Sequence, residues 1–218
     1  MGIITRSAAN NITTGGVILP AGINDASVAS VTELAQVSAG DGITLISSQT
    51  ASGSASISFT SGIDSSYRTY LFKFINMHPQ NDSGQFQFNL STDGGSTYAV
   101  TKTSSFFRTY NYENIAAEGL AYDGGGDLAQ STSNQMFYEA IGNDNDQSGV
   151  GTLFLFNPSD TTYVKHYLAN MQYIGNADFS MSTFIGGYGN TTSAINAIKF
   201  QMSAGNIDAG TIHMYGVA

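Results

Sequence analysis

Three histidines, His78, His166 and His213, are the side chains of this chain whose ordinary titration range suits proton transfer near neutral pH. Each sits beside strand-like sequence, His166 in YVKHYLANMQY and His213 in TIHMYG. No spacing gathers them into a ligand set, and a lone strand histidine is ordinarily a hydrogen-bonded or surface side chain. Serines abound, but a hydrolase elbow needs Gly-x-Ser-x-Gly at a strand-to-helix turn, and the chain has none. The long carboxylates that could pair for glycoside hydrolysis are Glu33, Glu113, Glu118 and Glu139, none in a setting that would raise its pKa. One loop, GNDNDQSG at 142–149, has ligand spacing: Asp144, Asp146, Ser148 and Gly149 match the front half of a calcium loop. The twelfth position should then be a bidentate Glu, and it is Leu155 within an apolar strand. A polar hairpin turn is the better reading. With no cysteine, thiolate metal sites, disulfides and a Cys nucleophile are excluded together. The expectation is therefore no catalytic, cofactor-binding or metal-binding set.

Aromatic residues are the other candidates for a site. Twelve Tyr and thirteen Phe read as core and interface material. Tyr110, Tyr112 and Tyr122, close to loops, are the ones expected to be exposed. There is no Trp to serve as a sugar platform, although Tyr can take that part.

The elements that carry these residues are strands. Ala55, Ile57 and Phe59 alternate with Ser and Thr, a clean period of two. Tyr70, Phe72 and Phe74 alternate against Leu71, Lys73 and Ile75, so this strand is apolar on nearly both faces and belongs mid-sheet. Phe86, Phe88 and Leu90 against Gln85, Gln87 and Asn89 give one dry and one wet face. Further strands are expected at 98–103, 105–111, 134–141, 151–156, 163–173, 179–185, 195–202 and 210–217. Turns are expected at 142–149, 157–162, 186–193 and 204–208, with a hairpin at 92–96. Residues 113–121 (ENIAAEGLA) are the best helical candidate in the body, weakened by Gly119. About eleven strands without a βαβ rhythm, a fixed repeat or a heptad run predict an all-β, antiparallel two-sheet sandwich of jelly-roll type over 42–218.

Residues 1–41 differ. They have almost no aromatic side chains and read as an extended N-terminal arm, with a possible short helix at 26–37. A polar arm without its own core is expected to be ordered by packing on another subunit.

Composition narrows the partners. Charged residues are only 11% of the chain, and Ser, Thr, Asn and Gly supply its polarity. Seven Lys and Arg against sixteen Asp and Glu leave a net charge of −9, with no basic cluster to track phosphates, so nucleic acid is not an expected partner. No run is long enough to span a membrane, and no signal peptide is visible at the N-terminus.

Three stretches carry a resemblance: LISSQTASGSASISFTSGIDSSYRTYLFKFINMHPQND from Leu45, FNPSDTTYVKHY from Phe156, and AGTIHMYGVA from Ala209. They resemble segments of virion structural proteins of tailed bacteriophages, marine and cyanobacterial ones in particular, over roughly residues 43–218. The resemblance implies a role in the virion and carries no catalytic motif. It implies a protein made in the host cytoplasm, released by lysis, and partnered by its own copies (a homotrimer) and by the major capsid protein or tail proteins. Two roles fit: a head decoration or cement protein, or a tail-fibre or receptor-binding protein touching host glycans. The short arm and the lack of a shaft favour decoration.

Overall fold

A computed structural model describes residues 42–218. The expected arm and its helix at 26–37 lie outside the described residues. Thirteen strands follow in order: β1 (Ile43–Ser54), β2 (Ile57–Phe59), β3 (Thr69–Pro79), β4 (Phe86–Ser91), β5 (Lys102–Tyr112), β6 (Glu118–Tyr122), β7 (Leu128–Ser131), β8 (Gln135–Met136), β9 (Gly149–Phe156), β10 (Lys165–Gly175), β11 (Phe179–Gly189), β12 (Ala197–Met202) and β13 (Ile207–Val217). They form two antiparallel sheets. The large one runs β1-β13-β3-β9-β10-β11-β5-β6, with β7 also paired to β5; the small one runs β2-β12-β4-β8.

The sheets face each other across aromatic side chains, because each strand turns its apolar positions inward at a period of two. Phe72 and Phe74 of β3 meet Phe200 of β12 at ring separations of 5.5 and 5.2 Å, and Phe74 meets Phe86 of β4 at 5.3 Å. Phe88 of β4 stands edge-on to Tyr167 of β10 at 5.2 Å. These rings are buried, as are Leu153, Leu155, Met171, Ile212 and Met214. As its two-faced apolar pattern requires, β3 lies inside the large sheet, between β13 and β9.

Several elements depart from the sequence expectation. Residues 113–121 form no helix: Tyr112 donates its amide to the Ala117 carbonyl at 3.1 Å, the chain turns, and β6 pairs back along β5. Gly119 permits this, since a Cβ there would lie 2.9 Å from the Tyr110 ring. The turn at 92–96 forms, but it is not a hairpin. Residues 98–101 are not strand, and the chain crosses from β4 in the small sheet to β5 in the large one. Over 134–141 only β8 forms a strand, and Ile141 makes isolated bridges to Gly84 and Gly175; Phe137 and Tyr138 are adjacent and both wholly buried, which one face of a strand cannot accommodate. Residues 186–189 belong to β11 rather than to a turn. Gly187 admits the ring of Tyr167, whose hydroxyl would lie 2.5 Å from a Cβ there.

Candidate functional site

The outward face of the large sheet is the most distinctive surface of the molecule. Directly opposed antiparallel residues share a face, so the register aligns side chains in rows across the strands. One row runs Leu45, Tyr215, Leu71, Phe154, Leu168; the next runs Lys73, Thr152, Asn170, Phe184, Phe107, Tyr122. Nine large apolar side chains are exposed among the described residues, and seven of them are on this face: Ile43, Leu45, Phe107, Leu120, Tyr122, Val150 and Leu168. The Phe107 and Phe184 rings stack at 5.0 Å, and those of Phe154 and Phe156 at 6.2 Å. Charge is sparse: the outward positions of β3, β5, β6, β9, β10 and β11 carry Lys73, Glu118 and the histidines His78 and His166, and β13 adds His213 in the row of Lys73.

Near the middle of the face the chain leaves a depression of about 420 Å³ between Phe107, Phe154, Leu168 and Phe184. Its floor is Gly186. A Cβ there would meet Leu168 at 3.4 Å and Ser105 at 3.8 Å, ordinary contact distances, so the glycine leaves open room rather than relieving a clash. Contiguous exposed apolar surface of this kind makes the face a candidate interaction site.

The residues singled out for chemistry are dispersed over the molecule. His78 Nε2 donates to the Asp144 carbonyl at 3.2 Å, and its Nδ1 lies 3.6 Å from the Asp208 carboxylate. His213 lies beside Tyr215 at a ring separation of 6.0 Å, and His166 beside Tyr188 at 6.2 Å. Glu139 pairs with Arg108 Nη1, and Arg108 Nε lies 3.2 Å from Asp123, which makes Glu139 an ion-pair member. Glu113 is on the turn after β5 and Glu118 on β6, both exposed; Glu33 lies outside the described residues. The 142–149 loop is closed by its own groups. The Gln147 amide N–H donates to the Asp144 carbonyl at 2.9 Å, and its side chain bridges the Asp144 amide at 3.2 Å and Asp178 at 3.1 Å. Leu155, at the position a calcium-binding Glu would take, is wholly buried in the core. Among the described residues, no three His, Asp or Glu side chains gather as a metal would need.

Of the tyrosines expected to be exposed, Tyr122 is, and its hydroxyl donates to Asp127, which raises the phenol's pKa. Tyr110 and Tyr112 are half-buried against the core.

Neither family models, curated proteins nor solved structures give a match.

Two polar side chains escaped the sequence reading. Lys102, wholly buried, donates from Nζ to Asn89 Oδ1 at 2.6 Å and to the Val100 carbonyl at 2.8 Å, and burial lowers its pKa to about 8. It reaches from β5 in the large sheet to Asn89 of β4 in the small one; Asn89, on a face expected to be wet, is buried and also donates to the Thr132 carbonyl and to Asn134 Oδ1. Lys165, also wholly buried, is bound only to backbone carbonyls. The sequence carried one mark of their burial: each occupies an inward parity position, in step with Phe106 or with Tyr167.

Proposed function

We propose that this protein is a non-enzymatic structural component of a tailed-bacteriophage virion, a head decoration or cement protein that joins the particle through the outward face of its nine-stranded sheet. The carrying observation is that face: seven exposed large apolar side chains on one nearly uncharged sheet surface, in a chain of net charge −9. Burying such a surface against neighbouring subunits is favourable at about 25 cal/mol per Å². The same face serves both its own copies, in a homotrimer, and the capsid shell beneath them. The resemblance of the three sequence stretches supports the virion setting, with release by lysis. Further support for a non-catalytic role comes from Glu139 and His78, which are engaged in ion-pair and loop contacts. We read the fold as an elaborated jelly roll, since β2, β4 and β12 each carry the chain from the large sheet to the small one and back.

A second reading, a tail fibre or receptor-binding protein that touches host glycans, is favoured by an exposed tyrosine on the loop before β10. Copy number per virion, measured by quantitative mass spectrometry against the major capsid protein, separates the two. Hundreds of copies are expected for decoration; about a dozen would place the protein on the tail.

A further inference from the structure

Between β9 and β10 the chain holds Tyr163 with 70% of its surface in solvent. The backbone beneath that ring is clamped. Asp160 Oδ1 accepts the amide hydrogens of Thr162 at 2.6 Å and Tyr163 at 2.8 Å. Lys165 donates from its buried Nζ to the Tyr163 carbonyl at 2.6 Å and to the Thr191 and Thr192 carbonyls at 3.4 Å each. That ammonium ties this loop to the one following β11. The amides of Tyr163 and Thr162 hold the Asp160 carboxyl below its ordinary pKa, so the carboxylate stays ionised at neutral pH and the clamp stays closed. Desolvating an ammonium is costly, and here its return is the fixed position of two loops.

Tyr163 forms one wall of a cleft of about 500 Å³, with Phe156, Asn157, Thr162, His166 and Thr192 among the remaining lining. A fitting ligand offers an apolar face to an exposed aromatic ring on a clamped backbone, and hydroxyls to the short polar side chains around it. A pyranose ring has both. The lining includes no Lys or Arg, Lys165 is sealed behind three carbonyls, and Asp160 is ionised, so phosphate, sulfate and carboxylate groups are disfavoured.

We propose that this cleft binds the ring of a neutral sugar, with Tyr163 as the stacking platform and Asn157, Thr162 and Thr192 as the groups that bind its hydroxyls. The inference holds whether the protein is on the head or the tail, and its test uses no virion.

The test presents the full chain to a microarray of immobilised neutral, sulfated and sialylated oligosaccharides, wild type beside Tyr163→Phe, Tyr163→Ala, Thr192→Val and Tyr122→Ala. Neutral glycans are expected to bind. Tyr163→Phe and Tyr122→Ala should retain that binding, and Tyr163→Ala should weaken it about tenfold. Thr192→Val, close in shape but without the hydroxyl, should weaken binding severalfold with an unchanged unfolding midpoint, a result independent of how Tyr163→Ala folds. An array without a bound neutral glycan overturns the proposal. So does binding that survives Tyr163→Ala, or that is confined to sulfated and sialylated sugars.

Discussion

Lys102 is an ammonium in the core with an amide and a backbone carbonyl as partners and no carboxylate. Burial lowers its pKa to about 8 from 10.5. Between those values the unfolded chain binds the proton that the folded chain has released, so stability rises with pH. At higher pH the buried tyrosines reverse the trend. Burial raises the phenols of Tyr138, Tyr167 and Tyr173, the unfolded chain loses those protons first, and stability falls. Urea-unfolding midpoints of wild type should therefore climb from pH 8 to pH 10 and drop beyond, and Lys102→Met should remove most of the climb, leaving the part that Lys165, also lowered by burial, contributes. A climb of equal size in the variant would assign the effect to another group. Phe72 and Phe88 are wholly enclosed by other rings, so truncating either to Ala should cost about 3–5 kcal/mol in urea unfolding. A loss below about 1 kcal/mol would mean that the surroundings collapse into the space left behind.

At the scale of elements, period-two patterning made β3, β4, β9, β10, β12 and β13 legible, because each turns one apolar set inward. The same parity argument should have flagged Leu168, Phe154 and Phe184, apolar residues on the side opposite the buried set. A strand apolar on both faces reads as central whether a partner covers the second face or not, and sequence alone does not distinguish those cases. Leu168→Asp tests what the face does. Leu168 is exposed, so the substitution should change stability by no more than about 0.5 kcal/mol. If the face is buried as proposed, the substitution should also shift an oligomer to monomer in analytical ultracentrifugation. A sedimentation profile identical to that of wild type would count against the proposed interface.

For the whole molecule, one core cluster runs from Ala51 to Met214 through both sheets, so residues 42–218 carry their own apolar interior. A chain beginning at Gly42 should unfold cooperatively in urea, near the full-length midpoint. Loss of the cooperative transition would make residues 1–41 part of the sandwich.

The sequence by itself determined the all-β class, the inward faces of most strands and the division of polar turns from apolar strands. All three follow from local alternation, which the pleat imposes residue by residue. Only the tertiary structure decided that residues 113–117 turn and Glu118–Tyr122 extend the large sheet, since the Tyr110 ring against Gly119 and the open edge of β5 set that outcome. It alone brought Lys102 to Asn89 and Lys165 to the carbonyls of Tyr163, Thr191 and Thr192, because those partners come from other strands and loops. The apolar outward face is also a product of register: five strands distant in sequence align Leu45, Tyr215, Leu71, Phe154 and Leu168 in one row, and pairing between strands sets that alignment.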